Sequence, residues 1–261
     1  MSKQILLALI FMLTSVLYAQ SSIHGEVSSR DLLTHDVQKA EKFYTTLFGW
    51  KGLQKDNYIQ LQKDDIPIAN IVHIDSKKRA QWMPQFLHTD LKLAKTNILK
   101  NGGSILKEKT DEKEEYILVR DKQGALSILS NVNYKQDHTK LPSINEWLWD
   151  ELWSHDITAS EHFYIDLFNY ETGTTQSGYI IFKNKQIWLS GLLNNPFKES
   201  QTQWISTIRV NDPKTISTQA LALGGKVLVS VEENKGHRNA ALLADPTGAV
   251  FIVEKYEEKG Q

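Results

Sequence analysis

From Ser28 to Thr34 the chain alternates between the two faces of an extended segment, and after Asp36 the period changes: Val37, Ala40, Tyr44 and Leu47 recur at helical spacing until Gly49. A period of two marks a strand with one buried face, and spacings of three and four collect apolar groups on one side of a helix. The pattern therefore predicts a strand over 28–34 and a helix over Val37–Phe48, with Asp36 as its cap and Gly49 as a left-handed stop. The same grammar returns three times. Trp82–Leu87 leads to cap Asp90, helix Leu91–Lys100 and stop Gly102. A strand ending at Ser154 leads to cap Asp156 and stop Asn169. Trp204–Val210 leads to cap Asp212, Pro213 at the first helical position and stop Gly224.

Short strands are expected after each helix: Tyr58–Leu61 and Ile66–Ile74, Ile105–Leu106 and Tyr116–Arg120, Tyr179–Phe182 and Ile187–Leu192, Val227–Val229 and Ala240–Leu243. Asp121 to Gly124 and Asp245 to Gly248 read as tight turns feeding closing strands Ala125–Ser130 and Ala249–Glu254. Four βαβββ units result. They come in two pairs, because His35-Asp36, Glu41, Phe43-Tyr44, Leu47 and Phe48 recur 120 residues later as His155-Asp156, Glu161, Phe163-Tyr164, Leu167 and Phe168. Gln81-Trp82 and Gly102-Gly103 likewise recur as Gln203-Trp204 and Gly224-Gly225. A duplicated chain of two domains is expected, residues 27–131 and 146–256, joined by a polar linker over 132–145 that contains Pro142.

Composition narrows the classes. At 261 residues, 41% hydrophobic and 23% charged, the chain can bury two ordinary cores. Lys3 followed by an apolar run from Ile5 to Tyr18 and a small exit residue, Ala19, has the form of a secretory signal peptide over 1–19, too short to span a bilayer comfortably. The expected localisation is exported, periplasmic or secreted, with no stable membrane insertion after cleavage. Loss of Lys3 leaves 29 basic against 31 acidic residues, a balance without the basic footprint of a nucleic-acid partner. The absence of cysteine excludes disulfides, thiolate metal sites and cysteine nucleophiles.

An Asp-(x)6-Phe-Tyr-(x)2-Leu-Phe-Gly-Trp segment after a strand, Gly-Gly at the end of a second helix and Asp-Pro-x-Gly-Ala before a last strand resemble the glyoxalase/bleomycin-resistance/extradiol-dioxygenase superfamily, the vicinal oxygen chelate fold. Its tandem members are the closer match, through Trp149-Asp150-Glu151-Leu152-Trp153-Ser154-His155-Asp156; the first copy, from Ser29 to Asp36, lacks the Trp. The resemblance covers about residues 27–255. It implies an α+β fold of two tandem glyoxalase-like domains, each a pair of βαβββ units forming a cupped sheet with helices outside.

The resemblance also implies where a divalent metal would be held: seven residues before each capping Asp and seven after each turn Asp. Those positions are Ser29, Met83, Trp149, Ile205, Ile128 and Ile252, and none is a metal ligand. No cofactor is therefore expected, a divalent metal held by unusual ligands being the alternative. The histidines form neither HxH nor HExxH, no Gly-x-Ser-x-Gly elbow is present, and His35 and His155 read as strand-end residues beside helix caps.

The second half offers a stripe. Trp147, Trp149, Glu151 and Trp153 alternate and so fall on one strand face, where three indoles around a carboxylate either line a cleft or simply fill the cup. Arg209 has the same facing parity and could pair with Glu151. The expected ligand-binding set is Trp149, Glu151, Trp153, Ile205, Thr207, Arg209 and Ile252, with Asp31 the carboxylate of the smaller, more polar first cup. The reading is an exported, metal-free binder of a small organic molecule; the alternatives are a metal-dependent isomerase, lyase or ring-cleaving enzyme, acid–base catalysis by Glu151 or Asp31, and a non-catalytic interaction module.

Overall fold

The computed structural model describes residues 23–75, 79–110, 115–132, 140–234 and 239–257; residues 1–19, expected to be a signal peptide, and part of the expected linker lie outside them. The first half runs β1 (Val27–Thr34), α1 (Val37–Phe48), β2 (Lys51–Gln54), β3 (Tyr58–Lys63), β4 (Ile66–His73), β5 (Gln81–Leu87), α2 (Leu91–Lys100), β6 (Ser104–Thr110), β7 (Glu115–Arg120) and β8 (Leu126–Ser130). The second repeats it as β9 (Trp147–Ser154), α3 (Ile157–Phe168), β10 (Glu171–Thr174), β11 (Ile180–Asn184), β12 (Ile187–Asn194), β13 (Gln203–Arg209), α4 (Pro213–Ala222), β14 (Lys226–Val229), β15 (Ala240–Ala244) and β16 (Val250–Glu254).

The helix signals act as read. The side chains of Asp36, Asp90, Asp156 and Asp212 accept hydrogen bonds from first-turn amides, and Gly49 and Asn169 close α1 and α3 in left-handed conformation. Each half forms one eight-stranded sheet, ordered β2-β3-β4-β1-β5-β8-β7-β6 and β10-β11-β12-β9-β13-β16-β15-β14. Sequential units therefore pair with each other, β1 running antiparallel to β5 and β9 to β13. Strands β2 and β10 carry no alternation in sequence because they are short edges with little buried surface.

The helices lie on the convex sides of the sheets, and the two convex sides face each other. One core joins Phe43, Tyr44 and Phe48 of α1 to Ile208, Leu243 and Phe251 of the second half; another joins Phe86 and Ile98 to Phe163, Tyr164 and Phe168. The repeated motifs meet across this seam. The Tyr44 hydroxyl donates to Asp245 at 3.1 Å and accepts from Trp82 Nε1 at 2.7 Å. Its copy Tyr164 donates to Asp121 at 3.1 Å and accepts from Trp204 Nε1 at 3.0 Å. Burial holds both phenols protonated well above the usual tyrosine range, so both stay donors. A Cβ at Gly103 would sit 2.9 Å from the Phe163 ring, and one at Gly225 3.0 Å from the Phe43 ring. The double glycines thus end a helix with the first residue and admit the other domain's phenylalanine with the second.

One contact on the seam breaks the symmetry. Arg30 and Asp150 occupy equivalent positions of the duplication and form a buried ion pair: Arg30 Nε donates to Asp150 Oδ1 at 3.2 Å, and Nη2 donates to Oδ2. Ser206 Oγ donates to Asp150 Oδ1 at 2.6 Å, and the guanidinium lies 5.1 Å from the centre of the Trp147 ring. Trp147 accordingly leaves the stripe expected for it. A register shift between Thr207 and Ile208 turns it into the seam, where it packs on Trp50 and Trp82 and donates from Nε1 to Ile68 O at 3.0 Å.

Candidate functional site

With the helices and the seam on the convex side, the opposite residues of β1 and β9 face the two cups. Asp31 and Glu151 are the equivalent carboxylates, and their surroundings differ.

In the second cup, Glu151 accepts from Trp153 Nε1 at 2.9 Å and from the Tyr179 hydroxyl at 3.2 Å; Tyr179 in turn accepts from Trp149 Nε1 at 2.6 Å. Gly191 stands beside Glu151 on the neighbouring strand, and a Cβ there would fall 1.7 Å from the Tyr179 hydroxyl, so the glycine is what lets this ring lie across the sheet to the carboxylate. Trp153 packs with Ile205, Leu242, Val250 and Ile252 into one apolar cluster and lies against Phe197, ring centres 5.8 Å apart. Glu151, Ile205 and Thr207 are at most 1% exposed, Trp153 and Ile252 6%, and Trp149 and Tyr179 are half-buried. The Thr207 hydroxyl has no hydrogen-bond partner. Arg209 is directed elsewhere: Nε donates to Tyr256 O at 3.0 Å and Nη1 to Pro142 O at 2.7 Å, tying the linker to the C-terminal segment rather than pairing with Glu151.

The first cup is more open and more polar. Asp31, Leu33, Asn70 and Leu118 are half-buried, while Met83, Gln85 and Ile128 are buried beneath them. Asn70 Nδ2 donates to Asp31 Oδ1 at 2.8 Å, and the amide Nε2 of Gln85, two residues from Asp31's strand partner Met83, is buried without a partner. Burial raises the Asp31 carboxyl to about 6, the Asn70 hydrogen bond opposing the shift. Sequence parity places Asp31 and Gln85 in this cup but does not reveal Asn70, a common polar residue whose meaning comes only from cross-strand register.

Two clefts lie at the ends of the seam. One, of about 870 Å³, includes Leu33, Gln81, Leu126 and Arg120 from the mouth of the first cup, with His155 and Ser200 opposite. His155 is held there by a 2.7 Å contact between its Nε2 and Ser200 O. The other, of about 760 Å³, passes Arg30 and Trp147 and reaches Trp149 and the exposed Trp188.

The donor set does not suit a divalent ion. On the strands where ligands would stand, the cup-facing residues are Ser29, Met83 and Ile128 in one domain and Trp149, Ile205 and Ile252 in the other. Glu151 already accepts two hydrogen bonds, and among the described residues no group of three or more His, Asp or Glu is placed to hold a metal.

No family model matches the chain. It is 24% identical over 248 residues to the protein named "Putative glyoxylase CFP32" of Mycobacterium bovis and to the same-named protein of Mycobacterium tuberculosis, covering 86% of this chain and 92% of each relative. Among solved structures it is similar to the Mn(II)-bound glyoxalase from Novosphingobium aromaticivorans, at a TM-score of 0.63 and 12% identity over 90% of this chain and 83% of the other. It is also similar to a variant of homoprotocatechuate 2,3-dioxygenase from Brevibacterium fuscum in complex with HPCA, at a TM-score of 0.57 and 13% identity over 91% of this chain and 73% of the other.

Proposed function

We infer that this chain, which has the glyoxalase/extradiol-dioxygenase (vicinal oxygen chelate) fold in tandem, is an exported, metal-independent binder of a small organic molecule, and that the first cup is the receptor. One observation carries the reading: where the fold would present metal ligands, this chain presents carbon and hydroxyl side chains, whereas Asp31, Asn70 and Gln85 leave hydrogen-bonding capacity unspent in the first cup. A buried amide N–H without a partner costs free energy that a ligand oxygen would recover. The second cup was the expected receptor, but its carboxylate is satisfied from within and its apolar residues bury one another. That makes it a stabilising element beside the working cup. The export part rests on residues 1–19 alone.

The test uses the mature protein purified without chelator. Elemental analysis should find no stoichiometric manganese, iron or zinc. After EDTA treatment, the ¹⁵N side-chain amide signals of Gln85 and Asn70 should shift saturably with acetamide as a neutral probe, and added Mn(II) should leave that titration unchanged. One equivalent of tightly held metal in either cup, or amide signals indifferent to the probe, overturns the reading.

A further inference from the structure

Register aligns four side chains in one row across the first cup. Asp31 is the partner of Met83 on β5. Gln85 is the partner of Ile128 on β8, and continuing that parallel register by two residues brings Met83 level with Leu126. Leu126 is the partner of Arg120 on β7. Because facing alternates along each strand, all four side chains rise on the cup side. A carboxylate and a guanidinium therefore stand at opposite ends of an apolar floor made by Met83 and Leu126. Three strand spacings separate their backbones, roughly 14 Å measured along the sheet, and its curvature shortens the direct path.

Neither charge is answered by the protein. Among the described residues, Asp31 bonds only to Asn70 through Oδ1, and Arg120 enters no ion pair and no side-chain hydrogen bond. Arg120 is exposed at the mouth, where it lines the 870 Å³ cleft together with Leu33 and Leu126. We propose that the first cup takes a small zwitterion, an ammonium or other N–H donor set against Asp31 and a carboxylate set against Arg120, with Gln85 Nε2 donating to an oxygen of the same molecule.

This rests on the first cup being the receptor and adds the chemical class of its ligand. An arginine fork matches a carboxylate, and a half-buried carboxylate with no cation beside it is the chemical complement of an ammonium. The raised carboxyl of Asp31 agrees, since a bound cation would offset the desolvation that raises it. The apolar floor suits a methylene chain between the two charged ends.

The probes are unbranched ω-amino acids from glycine to 6-aminohexanoate, with pentylamine and pentanoate as single-charge controls. Binding is read from the Gln85 side-chain amide and the Arg120 Nε signals of the full mature chain. At least one zwitterion should shift both signals saturably and bind roughly tenfold more tightly than either control, the gain expected from one additional charge-assisted hydrogen bond. Asp31→Asn and Arg120→Gln should each remove that advantage, while Arg120→Lys should retain part of it in a protein with an unchanged amide spectrum. Controls that bind as tightly as the zwitterions, or variants that bind as the parent does, overturn the proposal. If acetamide moves the Gln85 signal and no zwitterion does, the ligand class fails and the receptor reading stands; if neither moves it, both fail.

Discussion

The two domains share the hydrogen-bonded aromatic clusters of their convex sides and differ on their concave sides. Across the seam, Tyr44, Trp82 and Asp245 are mirrored by Tyr164, Trp204 and Asp121. In the cups, Asp31 faces Met83 where Glu151 faces Ile205, and Ser29 faces Gln85 where Trp149 faces Thr207. The repeats visible in the chain are therefore the marks of how the halves hold each other. Binding chemistry has to be sought where the copies disagree, because a seam that joins two copies constrains both, while each cup is free to fill or to open.

The strongest way to break this comparison is to impose symmetry where the seam lacks it. Asp150→Arg would put a second guanidinium beside Arg30 in a buried site. Removing one partner of a buried pair typically costs about 3–5 kcal/mol, and like charges add to that. Urea unfolding should show a loss of at least that order, and the reversed double variant Arg30→Asp/Asp150→Arg should recover most of it. A single variant as stable as the parent would mean that the pair does not set the pairing of the halves.

Next in size is the carboxylate of the open cup. Asp31 titrates at about 6 in the folded protein against 3.8 for the ordinary group, so between those values the native state binds more protons than the unfolded chain. Stability contributed by the neutral form is present below the unfolded value and lost as pH rises through the folded one. Asp31→Asn should therefore raise stability at pH 8 by up to about 3 kcal/mol and leave it nearly unchanged below pH 4. A difference independent of pH would show that the Asp31 carboxylate is better solvated than its place in the cup indicates.

In the filled cup the corresponding perturbation is steric. Gly191→Ala would drive Tyr179 off Glu151, because the added methyl coincides with its hydroxyl. Overpacking of this kind costs about 1–3 kcal/mol, and the emission of Trp149, which donates to the same hydroxyl, should change with it. Unaltered fluorescence and melting would argue that the Trp149–Tyr179–Glu151 chain does not close the cup.

Much of the fold was legible because it is written in local signals. Capping aspartates, Gly49, Asn169 and the period changes each act within a few residues, and the duplication supplied a second reading of every element. The edge strands β2 and β10 escaped because their exposed residues need no pattern. Trp147 was misplaced because β9 carries a bulge at Leu148, where the two steps from Trp149 to Trp147 stand against the single step from Thr207 to Ile208, and the unbroken alternation of the sequence does not show it. Arg209 was assigned by parity, which says which face a side chain leaves from but not which carbonyl it reaches. The row from Asp31 to Arg120 could not be read at all, since it depends on three registers between strands far apart in the chain.

The smallest effect separates shared from unshared structure most cleanly. Tyr44→Phe leaves Trp82 Nε1 without its acceptor and removes one donor from Asp245; Tyr164→Phe does the same to Trp204 and Asp121. Each buried group left unsatisfied carries a desolvation cost, so each variant should lose roughly 1–2 kcal/mol in urea unfolding. Because both hydroxyls have the same two kinds of partner, a tryptophan donor and an aspartate acceptor, the two losses should agree to within about half a kcal/mol, the range in which equivalent and independent sites usually coincide. Asp31→Asn and Glu151→Gln should show no such agreement, since the first relieves a carboxylate with one hydrogen-bond donor and the second disturbs one held by Trp153 and Tyr179. Equal losses at the tyrosines with unequal effects at the carboxylates would place the constraint of the duplication on the seam and its freedom in the cups. Unequal losses at the tyrosines would mean that the halves hold each other less symmetrically than their hydrogen bonds suggest.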